Sequence, residues 1–259
     1  MIAAATRRRP AIVGSGVYGV SILAGLVVWE LIARELPRIV LPPPSTVLVR
    51  LALDIANGKL VVALLNALPA LLIGSGLALV IGVPIGFALG RNRMLAEMFG
   101  PVINAIYTVP PVAFVPFLII WFGLYLWARV ALIFLMSVFE IIIAIETGAR
   151  DVAPGLIDVG RAFGARGGAL AAKVTLPAML PFVVLAVRIA VVRGINAMIT
   201  AELFFAAVNL GFLMNDDARR FDTAGLLSVI VLLALLGLVA QESLKWLERR
   251  ALPWHVRAE

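Results

Sequence analysis

The chain has 259 residues, 63% of them hydrophobic and only 14% charged, with a mean hydropathy of +1.07. A soluble domain is nearer half apolar and about a quarter charged, so a water-soluble globule is excluded and lipid is the expected solvent. The net charge of +7 would suggest nucleic acid only if the positive residues gathered on a soluble face, and they do not.

Six blocks, near 11–33, 60–90, 99–122, 128–148, 180–205 and 224–245, reach the roughly 20 apolar residues that a membrane span requires. They predict an all-α integral membrane protein with six transmembrane helices. One domain covers 11–245, between short tails at 1–10 and 246–259. Arg7 to Arg9 followed by an apolar run is a signal-peptide layout. That run is longer than a usual signal core and has no convincing small-x-small cleavage site before Trp29, so an anchor is expected. Next, Leu41-Pro42-Pro43-Pro44-Ser45-Thr46 ends one helix, and Ser45 or Thr46 is placed to cap a short surface helix over 46–57.

The second block carries small residues every four positions: Gly74, Ala78, Gly82, Gly86 and Gly90. Such a stripe lets helix backbones approach closely, either within the subunit or across a dimer. Pro84 is expected to interrupt this helix, and Pro110, Pro111 and Pro116 the next. Broken helices at membrane depth survive where protein or a water-filled cavity satisfies the freed backbone. Gly123, Trp127 and Arg129 mark a hairpin at the interface that separates the third span from the fourth.

With the N-terminus inside, thirteen Lys and Arg fall on the inner side, including Arg91, Arg93, Arg150, Arg161, Arg166 and Lys173, against seven outside, Arg129 among them. This positive-inside bias places both termini in the cytoplasm.

Charges inside spans are costly, roughly 2.5–3.5 kcal/mol each at helix centre, and usually face the bundle interior and pair. Glu140 lies in the fourth span, Arg188 and Arg193 in the fifth. The two arginines are five apart, about 140° around a helix, so they need not share a face. Glu140 is expected to pair with one of them. The alternative is an arginine facing an anionic substrate. Asn196, Thr200 and Glu202 continue the polar features toward the outer mouth. With Pro110 and Pro111, these residues are the candidates for a translocation pathway.

Enzymatic chemistry is poorly supported. The chain has no Cys, its one His (His255) has no partner pattern, and none of its three lysines sits in a phosphate-binding Gly-x-x-x-x-Gly-Lys frame. ATP hydrolysis by that route is therefore not expected here, and neither a bound cofactor nor a metal is expected. The polar island at 150–177 interrupts the apolar blocks. Residues 155–163 suit a short helix, Gly164 a tight turn, and Pro177 the first turn of the returning helix. Read alone, it is equally a solvated loop carrying inner-side arginines.

The island reads DVGRAFGARGGALAAKVTLP from Asp158, with Gly164 four positions after Gly160 and a closing Leu176-Pro177. This spacing resembles the cytoplasmic "EAA" loop of ABC importer permeases, although Asp158-Val159-Gly160 replaces Glu-Ala-Ala. Leu41 to Ser45, Thr108 to Pro116 with Trp121-Phe122-Gly123, Ala201-Glu202-Leu203, and Pro253-Trp254 resemble the sulfonate/nitrate/taurine branch. Asn209-Leu210-Gly211 does too, standing where that branch usually has Gly-Leu-Gly. The resemblance implies a type I importer permease fold in a bacterial inner membrane. It also implies a second permease copy, two ATPase subunits holding ATP and magnesium, and a periplasmic or lipid-anchored binding protein. Asp158, Gly160, Arg161, Phe163, Gly164, Ala165, Arg166, Leu176 and Pro177 would then couple to the ATPase. The implied cargo is a small anion such as a sulfonate, taurine, nitrate or an aromatic carboxylate. A vitamin precursor is the alternative, and an ATPase-independent secondary transporter the rival from another class.

Overall fold

The computed structural model describes residues 11–205 and 209–251, and every regular element among them is helical. His255 and Pro253-Trp254 lie outside the described residues. Helix α1 (Ala11–Glu35) leads into α2 (Pro44–Ala56). Neither Ser45 nor Thr46 caps α2: the helix starts at Pro44, after an extended Pro43, with no side-chain cap. Proline presets the helical φ and has no N–H to satisfy, so the first turn forms without a cap. Ser45 instead donates its N–H and its hydroxyl to the Glu30 carboxylate of α1, at 3.1 and 2.9 Å.

Helix α3 (Lys59–Arg91) runs through Pro69 and Pro84 without a break. The expected interruption at Pro84 does not occur. Gly82 and Gly86 flank this proline and pack tightly on a neighbouring helix, which keeps the helix continuous where proline removes one hydrogen bond. That neighbour is α6 (Leu126–Arg150), reached through α4 (Arg93–Thr108), a 3₁₀ turn (Pro111–Phe114) and α5 (Val115–Phe122). The Asn92 side chain accepts the N–H groups of Met94 and Leu95 and caps α4. At Val109-Pro110 the chain bends by 84°. Gly123, at φ +72°, turns it into α6.

The small-residue stripe of α3 is consumed by α6. A Cβ at Gly74 would come within 2.8 Å of Ile133, and one at Gly82 within 2.8 Å of Ile141. At Gly86 and Gly90 it would lie 2.5 Å from the carbonyl oxygens of Ile142 and Glu146. The stripe therefore packs helices within the subunit.

After α6 come α7 (Pro154–Ala162), α8 (Gly167–Leu170), a π-helical stretch (Ala171–Thr175) and α9 (Leu176–Ala178). Helices α10 (Leu180–Phe205), α11 (Asn209–Arg219) and α12 (Thr223–Ala251) complete the described chain. Helix α10 packs on both α6 and α3, and α12 lies against α2. Among the described residues α3, α6, α10 and α12 are each long and apolar enough to cross a membrane. The bent α4–α5 pair makes a fifth span if it is counted as one. The expected sixth, α1, is not among them.

Arg129 is not an exposed charge of the α5–α6 hairpin. It is 6% exposed and pairs at 2.7 Å with Glu202 of α10, itself 2% exposed. The second Glu202 oxygen accepts the Gly211 N–H at 3.1 Å, tying α11 to the same point. Gly211 is required there, because a Cβ would collide with the Glu202 backbone carbonyl. Nearby, Arg50 joins Asp54 (3.0 Å) and Asp222 (3.1 Å), and Lys59 approaches Asp217 at 3.7 Å. Burial pushes the Asp217 carboxyl above its ordinary range, and the charge of Lys59 offsets this only in part.

Gly86→Ala, which meets a backbone carbonyl, should cost about 1–3 kcal/mol in detergent unfolding. Gly76→Ala, with open space around it, should be neutral or slightly stabilising. Removing one partner of the Arg129–Glu202 pair should cost roughly 3–5 kcal/mol. The Arg129→Met/Glu202→Leu double variant should recover much of that loss in the same unfolding assay.

Candidate functional site

Two regions hold most of the candidate residues. The first is the 150–177 island. Helix α7 opens with Pro154 in its first turn, and a paired hydrogen-bond motif closes it. Gly164 N–H donates to the Arg161 carbonyl (2.9 Å) and Ala165 N–H to that of Gly160 (3.0 Å). This closure needs a left-handed residue, and Gly164 supplies it at φ +81°. One face of α7 points inward through Ile157 and Gly160. A Cβ on Gly160 would lie 2.9 Å from Leu170 and 2.8 Å from Val174, so only glycine lets α7 seat on the π-helical stretch.

The other face presents Leu156, Val159 and Phe163, at helical spacing and all more than half exposed. Phe163, at 88%, is the most exposed large apolar side chain among the described residues. These three border a concavity of about 720 Å³ that also takes in Ala165, Lys173 and Pro177. Arg161 is held loosely by Asp158 at 3.7 Å, both exposed, and Arg166 points to solvent. Within the π-helical stretch the Leu176 N–H reaches back five residues to the Ala171 carbonyl. Leu176 and Pro177 then start α9, whose end buries Met179 under α10.

The second region lies halfway along α6 and α10. Arg193 donates to Glu140 at 2.9 Å, so the expected pair forms with Arg193 and not with Arg188. Two adjoining pockets share Glu140, Arg193 and Asn196. One, of about 150 Å³, is closed by Tyr107, Val109 and Pro111 from the break in the α4–α5 pair. The other, of about 250 Å³, contains Arg188 and Leu185. Despite their angular separation the two arginines thus border one space. The α4–α5 bend borders this cavity, and turn hydrogen bonds satisfy carbonyls there: Val109 N–H donates to Ile106 (3.0 Å) and Ala113 N–H to Pro110 (2.9 Å).

Other candidates lie elsewhere. Thr200 bonds back to the Asn196 carbonyl of its own helix (2.9 Å). Glu202 is enclosed with Arg129 and does not border either pocket. Pro110 is exposed at the bend itself. Sequence reasoning missed Tyr107 and the Arg129–Glu202 pair. Opposite charges at matching depth in antiparallel spans were the available signal for the pair. No group of three His, Asp or Glu among the described residues could hold a metal.

Residues 78–253 match the family model described as "Binding-protein-dependent transport system inner membrane component". A Brucella abortus protein named as a probable ABC transporter permease is 29% identical over 95% of this chain and 98% of its own length. The taurine transport system permease of Escherichia coli is 29% identical over 89% of this chain and 86% of its own. The formylaminopyrimidine transport permease of Halalkalibacterium halodurans is 27% identical, over 88% and 92% respectively. The inward-facing MetNI methionine ABC transporter shares the fold, with a TM-score of 0.64 over 76% of this chain and 98% of that one, at 22% identity. With more than half of the chain inside the family model, this protein belongs to the binding-protein-dependent transport system inner membrane components, the permeases of ABC importers.

Proposed function

We propose that this permease pairs with a second copy of itself and lines a pore that opens alternately to either side, driven by two ATPase subunits seated on the 150–177 loop. The observation that carries the reading is the rigid, glycine-capped α7 presenting Leu156, Val159 and Phe163 to solvent at helical spacing. A short stiff helix with an apolar stripe suits a groove on a partner subunit, and Arg161 and Arg166 suit acidic groups at its rim. ATP and magnesium belong to that partner.

In this reading α1 is the sixth span. Its 25 residues extend about 37 Å, and Val20, Ile22, Leu23 and Leu31 expose their side chains as a lipid-facing helix does. Both termini then lie in the cytoplasm, and the membrane is a bacterial inner membrane. At the opposite end, α2 and α11 form the surface on which a loaded binding protein docks. These helices lie within 37–59 and 206–223, of which 206–208 lie outside the described residues.

The face of α10 that carries Arg188, Arg193 and Asn196 is exposed in the single chain. Arginines at that depth do not face lipid, so the second copy covers them and the pathway runs between the two. The cargo is a small polar solute handed over by the binding protein. The names of the relatives span taurine and formylaminopyrimidine, so a sulfonate and a pyrimidine are both represented in the family.

Phe163→Asp places a charge in the buried centre of the ATPase contact, and Gly164→Pro removes the left-handed closure of α7. Each should leave membrane insertion intact, weaken ATPase co-purification by about 30-fold or more, and abolish ATP-driven uptake. Full ATP-driven uptake by Phe163→Asp in membrane vesicles rejects the coupling role.

A further inference from the structure

Three guanidinium groups meet where α3, α4 and α6 end together. Arg91 closes α3 and Arg93 opens α4, with only Asn92 between them, and Arg150 closes α6. The Asn92 side chain accepts the Met94 and Leu95 N–H groups, so this turn is tight and its amides are already engaged. Gly90 lets α3 meet α6 at the Glu146 carbonyl, and Arg91 donates to the Ala149 carbonyl at 3.4 Å, which sets Arg150 beside it. The three arginines border a concavity of about 480 Å³ that is backed by the buried Leu89 and Ala96. It shares no lining residue with the concavity beside α7 or with the two pockets along α10. Glu97 is the one carboxylate in its lining and holds Arg93 at 2.6 Å, while Glu146, one turn back on α6, holds Arg150. Both are pairs within one helix whose arginine side chains are more than half exposed, and such pairs yield to another oxyanion at small cost.

From this corner an apolar stripe climbs α4. Met94, Met98 and Val102 are four residues apart and each more than half exposed. They begin one residue from Arg93 and rise about 12 Å along the helix axis. We infer that this corner binds an anionic phospholipid of the inner leaflet, with its phosphodiester among Arg91, Arg93 and Arg150 and an acyl chain along Met94, Met98 and Val102. This rests on the reading that α3, α4 and α6 cross the membrane with these ends at its cytoplasmic surface. The argument for a lipid is the continuity of the two features. A free phosphate meets only the arginines, and an acidic protein segment has no use for an apolar stripe at hydrocarbon depth. Guanidinium groups hold phosphate oxygens through paired N–H donors while their stems lie along the apolar boundary. Basic pockets between helices on the cytoplasmic side suit anionic head groups for this reason. A bound head group would bridge the ends of α3, α4 and α6 directly before the 150–177 loop.

The chain contains no Cys, so Met98→Cys takes a single bimane label. The test places the labelled permease, in complex with Cys-less ATPase subunits, in phosphatidylcholine nanodiscs. Quenching is compared between traces of doxyl-labelled phosphatidylglycerol and doxyl-labelled phosphatidylcholine. The anionic lipid should quench about fivefold more effectively per molecule. That preference should vanish in Arg91→Gln/Arg93→Gln/Arg150→Gln, hold with Lys at the same three positions, and survive an excess of inorganic phosphate. Arg93→Gln/Arg150→Gln, which keeps the Arg91 contact to α6, should already lower it about twofold or more. Equal quenching by the two lipids overturns the inference, as does loss of the preference to inorganic phosphate, which marks a free-phosphate site. Quenching by neither lipid overturns it too, because protein then covers the stripe. With the ATPase still co-purifying, each of these results leaves the coupling reading standing. Orientation is checked separately by labelling Arg93→Cys with a membrane-impermeant maleimide, which should react in inverted vesicles and not in spheroplasts. The reverse pattern overturns the orientation and the inner-leaflet site together.

Discussion

The close approach of α3 and α6 is the constraint on which the rest of this structure depends. Lipid tails are as apolar as leucine, so two membrane helices gain little by hiding apolar surface from lipid and must associate through backbone proximity and dispersion contacts. Gly74, Gly82, Gly86 and Gly90 allow this by removing the Cβ atoms that would meet Ile133, Ile141 and the carbonyls of Ile142 and Glu146. Once α6 is seated, Glu140 has a fixed height and direction, and α10 packs against α6 and α3 with Ala186, Ala190 and Gly194 buried. The polar groups of the middle are therefore positioned by contacts that are themselves apolar and small.

The charges are arranged in two different ways. Arg129 and Glu202 are sealed from both lipid and cavity, with Gly211 completing the carboxylate's partners. Such a pair fixes geometry: it holds the end of α10 to the start of α6 and α11 to both. Glu140 and Arg193 are only partly covered, beside the α4–α5 bend. A partly hydrated pair can exchange partners at modest cost, whereas a sealed one cannot. The same residue types thus serve as a fixed joint at one end of α10 and as an adjustable lining at its centre.

Much of this was legible in the sequence, and the exceptions have physical causes. The four-residue spacing of small residues announced a close helix contact, but one sequence could not say which helix would fill it. Gly164 and Pro177 were placed correctly by their backbone preferences alone, and the structure gives Gly160 a further reason, its contact with Leu170 and Val174. Proline gave a poorer guide. Pro84 leaves its helix unbroken, with Gly82 and Gly86 on either side of it packed on α6, while Pro110 and Pro111 act together beside a cavity and bend theirs. Glu202 looked like a pathway residue because depth can be read from sequence and direction cannot. Its partner Arg129 lies 73 residues away in sequence, at the start of α6 where the end of α10 meets it.

The path from the loop to the cavity contains few soft joints. Helix α7 is closed by paired hydrogen bonds at Gly164 and seated on Leu170 and Val174 through Gly160. The π-helical stretch accommodates one extra residue per turn just before Pro177, and the Met179 N–H then bonds to the Thr175 carbonyl at 3.0 Å. Gly148 of α6 admits Phe182 of α10 so closely that no Cβ would fit, which clamps the first turn of α10 to the last turns of α6. In the proposed coupling, a push on α7 would reach the start of α10 through packed side chains and hydrogen bonds, with the π-helical stretch as the place where register can give. Six residues beyond Phe182 stands Arg188, and five further on Arg193. In the proposed alternating cycle, small rotations of α10 would change how both guanidinium groups face the passage while the Arg129–Glu202 joint holds its far end. In that proposed cycle, a force applied at a solvent-exposed loop would alter charge presentation in mid-membrane without unfolding any span.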